Sequence, residues 1–290
     1  MPPTRPPTPT DFPSNLTLTL TPPPPPPSTS TTTTTPPASA TPTNILLLLH
    51  GLGDTLPPLT SLAQALHLPE TTILTLQAPT HLPLDLPGYH WGDDISFDSS
   101  TGALDMDAGF ARSKRLINDT IIRDTLIAKC GYAPREISLF GIGQGGMLAL
   151  LAGRELELDV HTSASSTTTT TISTGGRGSS SGSGSGNGAS CCLGGIISVG
   201  APFPLSEAGK KQGPKNRTPV LLVAGRDSPA VTDGAVRRTQ AEFEFVEVHR
   251  YARRGDGMPR SRDEMVPVMR FFARILRSWA GVPGGSVEIS

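Results

Sequence analysis

Two glycine-rich turns carry what chemistry this sequence offers. Phe140-Gly141-Ile142-Gly143-Gln144-Gly145-Gly146 follows an apolar run and precedes a helical pattern. A strand-to-helix turn of the form G-x-S-x-G thrusts its middle residue out at the top of a sheet, where a serine can attack an acyl carbonyl. Here the middle residue is Gly143, so the turn has the shape of a nucleophile elbow and no nucleophile. The second turn, His50-Gly51-Leu52-Gly53-Asp54-Thr55, also ends an apolar run. Phosphate binding is the competing reading of such glycines. However, G-x-G-x-G-G lacks the Lys-Ser/Thr of a P-loop. A dinucleotide fingerprint also normally follows the first strand of its sheet, not a middle one. The strand after the elbow helix ends in GAPFP, with no acid to hold a ribose. A nucleotide-binding protein is the weaker alternative.

The elements that must position these turns are patterned clearly. Ile45–Leu49 and Glu136–Phe140 read as buried strands entering the two turns. Leu16–Leu20 alternates apolar and polar residues, as an edge strand does. Thr72–Leu76, Leu193–Val199, Val220–Val223 and Phe245–His249 are further strands. Helical spacing is expected over Leu59–Leu68, Ala108–Cys130, Met147–Glu155, Val231–Phe243 and Asp263–Ala280. Strands alternating with helices predict an α/β fold, a mostly parallel central sheet with helices on both faces. Ligands of such sheets sit beyond the carboxyl ends of the strands, where both turns fall.

Charge and composition exclude several functions. The 290 residues carry 24 Lys+Arg and 25 Asp+Glu, without the basic excess of a dedicated nucleic-acid binder. Three cysteines, two of them adjacent (Cys191, Cys192), do not make a disulfide scaffold. No apolar run reaches the ~18–20 residues of a membrane span. The first residues, MPPTRPPTPTDFP, lack the apolar core of a secretion signal, so a cytoplasmic protein is expected. No histidine pair has metal-ligand spacing, so neither metal nor cofactor is expected.

In order along the chain, LLLLHGLGDT, LTLQAPTHLP with GYHWGDD, LFGIGQGGMLAL, GGIISVGAPFP and VLLVAGRDSPAV resemble the phospholipase/carboxylesterase and acyl-protein thioesterase group of α/β-hydrolases. The resemblance runs from Ile45 onward, apart from one Ser/Thr/Gly tract and the tail. It implies the α/β-hydrolase fold and a Ser–Asp–His triad whose tetrahedral oxyanion is held by backbone N–H groups. Those donors fall on Leu52 and Gln144, the nucleophile on Gly143, and the acid on Asp227 or Ser228. The base falls on Arg260, because this chain reads Gly257-Met258-Pro259-Arg260-Ser261 where the family resembles G-M-x-H-S. Two triad members are missing. The resemblance therefore implies a catalytically impaired hydrolase that keeps a pocket for an acyl or anionic ligand.

The alternative is an active ester or thioester hydrolase using relocated groups. His249, at the end of its strand before the base loop, is the candidate substitute base. Ser198, near the carboxyl end of its strand, reads as a satisfied core hydroxyl. His50 reads as structural. Arg260 could hold a carboxylate or phosphate if its loop overhangs the pocket. The domain plan is an N-terminal segment 1–21 with the first strand, a Pro/Thr-rich tract 22–43 expected to be disordered, and a hydrolase domain 44–281. A Ser/Thr/Gly insertion at 161–190, also expected to be disordered, interrupts that domain, and 282–290 forms a tail. The prolines at 22–27 offer a ligand for a proline-reading domain.

Overall fold

Strand β2 (Asn44–Leu49) reads NILLLL and is buried along its whole length. Its side chains divide by the period of two that a strand imposes. Ile45, Leu47 and Leu49 enter one apolar core, and Leu46 and Leu48 enter another on the opposite face. A continuous apolar run is therefore what a central strand covered on both faces requires. A computed structural model describes residues 3–25, 42–97, 102, 104–156 and 192–278. The insertion 161–190, the tail 282–290, Cys191 and most of the 22–43 tract, including Pro26 and Pro27, lie outside the described residues.

The strands are β1 (Leu18–Thr21), β2, β3 (Thr71–Leu76), the short pair β4 (Thr80–His81) and β5 (Tyr89–His90), β6 (Ile137–Ile142), β7 (Gly195–Val199), β8 (Val220–Gly225) and β9 (Val246–Tyr251). Seven of them form one sheet in the order β1-β3-β2-β6-β7-β8-β9. Only β1 runs antiparallel to its neighbour, and the rest are parallel. The turn after β2 and the turn after β6 are consequently neighbours at the carboxyl edge.

Helices cover both faces. Helix α1 (Leu56–Leu66) and α5 (Arg262–Ile275) pack Leu59, Ala63, Val268, Phe271 and Phe272 on one side. On the other side lie α2 (Ala111–Arg115), which continues as a π-helix over Leu116–Lys129, with α3 (Gln144–Glu155) and α4 (Asp233–Glu242). The expected helix 108–130 starts three residues late because the Asp93 carboxylate accepts the Ala111 and Arg112 N–H groups (2.8 Å to Arg112) and caps it there. Beyond the first turn it is wound wider than α. The Cys130 N–H and the Thr125 hydroxyl each reach a carbonyl five residues back. The last helix ends at Ile275, earlier than the expected Ala280. The Asn44 side chain takes both backbone groups of Arg277, at 2.9 and 2.7 Å, and pulls the chain off the helix.

Candidate active site

The elbow is built by close backbone approach. Gly143 has φ 50° and ψ −121° and its N–H donates to the Val199 carbonyl at 2.8 Å. Behind it, a Cβ on Gly145 would lie 2.4 Å from the carbonyl oxygens of both Leu49 and His50. Only glycine lets helix α3 leave β6 this close to β2. A methyl at Gly145 must displace backbone, an overpacking cost of typically 1–3 kcal/mol or more.

Space at Gly143 itself is open. A Cβ there would meet only Gly51 Cα at 3.8 Å and Met106 Sδ at 3.9 Å. A serine would fit, and its penalty would be the positive φ. That strain is on the order of 1–3 kcal/mol, offset by about 0.4–1 kcal/mol of unfolded-chain entropy that glycine loses on folding. Gly143→Ser is therefore expected to leave the melting temperature unchanged or lower it. Thermal unfolding followed by circular dichroism tests this, and a clear rise would contradict the strain argument.

The two N–H groups at the proposed donor positions are available. Neither the Leu52 nor the Gln144 N–H has an acceptor among the described residues. Their loops are tightly held. Gly51 N–H donates to Asp54 Oδ2 at 3.0 Å, and Gly53 and Tyr89 tie the turn to the β5 segment. The buried Gln144 side chain accepts from the Trp91 N–H at 2.7 Å and donates to the Met106 carbonyl at 3.3 Å. This side-chain clamp brings Met106 over the elbow. A sequence motif that marks Gln144 only for its backbone gives no sign of it.

His50 is structural. Its Nε2 accepts the Ala78 N–H at 2.9 Å, so the proton sits on Nδ1 and is donated to the Gly51 carbonyl at 2.7 Å. Burial, partly opposed by the Gly51 carbonyl and Asp54, holds its pKa below the ordinary value. His90 is depressed too, by burial first and then by Arg112, and its buried Nδ1 has no partner among the described residues. Both rings are thus neutral in the fold and bind a proton more readily once unfolded. Stability they contribute is present above about pH 6.5 and is lost as the pH falls below it. The urea midpoint is expected to be lower at pH 5.5 than at pH 7.5, with a shallower dependence in His90→Asn. An unchanged slope in that variant would contradict the assignment.

Of the two acid candidates, Ser228 points inward. Its Oγ donates to Asp256 Oδ2 at 2.8 Å and accepts the Val231 N–H at 2.8 Å. Asp227 faces solvent against Arg254 at 3.2 Å. The residue that meets Ser228 is Asp256, four positions before Arg260, on which the family resemblance places the base. Asp256 also accepts the Gly225 N–H at 3.1 Å and packs against Gly200, whose φ of +72° and missing Cβ make room for it. A serine-carboxylate hydrogen bond thus links the turn after β8, on which the resemblance places the acid, to the loop on which it places the base. In the sequence, Asp256 is one acid among the four arginines of the segment 253–262 (RRGDGMPRSR), and nothing local marks it.

Arg260 is exposed, and its backbone N–H donates to Glu264 Oε2 at 2.8 Å. The loop is organised by Arg253, which pairs with Glu264, donates to the Gly257 and Met258 carbonyls and lies over the Tyr251 ring. His249 does not reach the elbow. It lies on β9, three strands from β6 and so roughly 14 Å away laterally, with its ring edge-on to Tyr251. Ser198 is fully buried and donates to the Ala201 carbonyl at 2.6 Å.

Beside the elbow runs an open groove of about 440 Å³, within the range of small-molecule sites. Pro58, Leu59, Leu62, Ile142, Met258 and Pro259 give it apolar walls, and Asp54 and Thr55 line it as well. Arg260 is not part of its lining. No cluster of metal-ligating side chains occurs among the described residues, and no helix among them is long and apolar enough to cross a membrane.

The family model described as Phospholipase/Carboxylesterase matches residues 32–173. An uncharacterized hydrolase of Schizosaccharomyces pombe is 37% identical over 111 residues, which are 37% of this chain and 44% of that protein. The match therefore spans less than half of that relative's length. Among solved structures, esterase PE8 superposes with a TM-score of 0.61 at 20% identity, covering 90% of this chain and 99% of that one. Zea mays acyl-protein thioesterase 2 gives 0.52 at 18% identity, covering 89% and 97%. At these identities the superpositions show a shared fold.

Proposed function

We propose that this chain is a member of the phospholipase/carboxylesterase family of α/β-hydrolases, whose model matches residues 32–173, and that it binds an acyl ligand without forming an acyl-enzyme. The observation that carries this reading is the state of the elbow. The backbone is in the elbow conformation and the Leu52 and Gln144 N–H groups have no acceptor among the described residues, yet Gly143 presents only open space. Such donors stabilise a carbonyl oxygen or carboxylate, but nothing on the elbow can attack. The groove supports a ligand with an aliphatic tail over a compact anion, because Asp54 puts a carboxylate on a wall that is otherwise mostly apolar.

Purified protein is expected to hydrolyse neither a short-chain p-nitrophenyl ester nor a palmitoyl thioester above the buffer rate. It is expected to bind a fluorescent long-chain acyl probe that unlabelled dodecanoate displaces. Leu62→Trp, which fills the groove, should weaken that binding by about tenfold or more, on the order of 1.4 kcal/mol. Turnover that purifies with the protein would overturn the proposal in favour of relocated catalytic groups.

A further inference from the structure

The opposite end of the sheet poses a separate question. Strand β9 is an edge strand, bonded to β8 on one side and to no strand on the other among the described residues. Such an edge presents a row of free N–H and C=O groups. Seven large apolar side chains are exposed among the described residues, and three of them belong to β9, the residue before it, and α5. Phe245 precedes β9 and is 47% exposed, and Val248 on β9 and Met269 on α5 are each 38% exposed.

Residues 246–278 contain eight arginines, of which five are paired, Arg250 with Asp233, Arg253 with Glu264, Arg254 with Asp227, Arg274 with Glu247 and Arg277 with Glu136. Arg274 reaches from α5 to Glu247 on β9 at 2.7 Å, which fixes that flank of the helix against the edge. Arg270 lies one turn earlier on the same flank and has no acidic partner among the described residues, and neither does Arg262. The two faces of the edge therefore differ. Glu247, His249 and Tyr251 alternate towards α5 and its arginines, and Val246, Val248 and Arg250 alternate towards the α4 side, where Val246 packs against that face's core and Arg250 pairs with Asp233 at 3.2 Å.

We infer that the β9 edge takes up an extended acidic segment of a partner protein, added as an eighth strand. The period of two sets the partner's pattern. Acidic residues at alternate positions would lie on the α5 face beside Arg270 and Arg274. Apolar residues between them would lie on the other face against Val248. Backbone pairing gives affinity and the alternate side chains give selectivity, as in other strand additions. A second copy of this chain fits less well, because it would bring two arginine-rich edges together. A polynucleotide would answer the charge and leave the strand edge unpaired.

The test uses the full chain and a fluorescein-labelled peptide of four Glu-Val repeats, read by fluorescence anisotropy, with a Lys-Val peptide as control. The Glu-Val peptide is expected to bind saturably and the Lys-Val peptide not at all. Arg270→Glu and Val248→Lys, both surface changes, should each weaken binding tenfold or more. Hydrogen exchange should slow on the β9 amides when the peptide is bound. Binding that survives both substitutions, or that leaves β9 exchange unchanged, would overturn the inference. So would equal competition by duplex DNA, or a dimer in light scattering that Val248→Lys dissolves.

Discussion

Gly143→Ser is expected to gain little or no esterase activity, even though its hydroxyl would have room at the elbow. In a Ser–His–Asp site the residues act as a unit. In subtilisin, loss of the serine or the histidine alone costs about six orders of magnitude and leaves roughly 10³–10⁴ over water from binding and the oxyanion donors. The new hydroxyl would have no base. Arg260 is exposed and away from the groove lining, His249 sits three strands away, and the Asp256 carboxylate is held by Ser228 and the Gly225 N–H. Both the wild type and Gly143→Ser should fall within a few-fold of each other with p-nitrophenyl butyrate. A gain of 10³-fold or more in the single variant would show that a base already faces the elbow, and the proposed loss of catalysis would be wrong.

The same geometry says what a fuller restoration would need. The polar pair to be rebuilt is Ser228 with Asp256, not Ser228 with Arg260, because those are the side chains in contact. A variant combining Gly143→Ser, Ser228→Asp and Asp256→His is therefore expected to exceed Gly143→Ser alone, whereas one carrying Arg260→His in place of Asp256→His is not. The rate difference between the two triple variants, measured on the same ester, checks the assignment.

How much of this could be read beforehand differs from element to element. The NILLLL run of β2 and the GIGQGG turn declare themselves, because a strand buried on both faces must be apolar throughout and an elbow this close to its neighbour must be glycine. The π-helical winding after Arg115 was not visible. Apolar residues at 117, 121, 122 and 126 line one face under either winding. Spacing from a family pattern put the base at Arg260, but loop residues are positioned by what they bond. Asp256 is drawn to Ser228 across 28 residues of chain, and no local pattern encodes that contact. His249 stands close in sequence to the base loop. It is nonetheless remote from the elbow, because lateral distance is set by strand order, which the sequence does not spell out.

The largest stability effect is expected from Glu242→Ala. Arg154 on α3 and Glu242 on α4 form a buried ion pair, Nε to Oε2 at 2.7 Å, with side chains only 6% and 9% exposed. Around it, the loop from Gly209 to Asn216 is fastened to both helices. The Gly209 N–H donates to Glu242 Oε1 at 3.3 Å, the Asn216 N–H to the Glu242 carbonyl at 2.9 Å, and the Asn216 side chain to the Gly153 carbonyl at 2.8 Å. Removing the carboxylate leaves a guanidinium in the interior whose remaining hydrogen bond among the described residues is to the Lys211 carbonyl at 3.4 Å. Truncating one partner of such a pair costs about 3–5 kcal/mol, most of it the stranded charge. The double replacement Arg154→Met, Glu242→Leu removes both charges and should cost much less, since matched apolar replacements are often neutral or better. If Glu242→Ala and the double variant unfold at the same urea concentration, the penalty lies in lost packing and not in an unpaired charge.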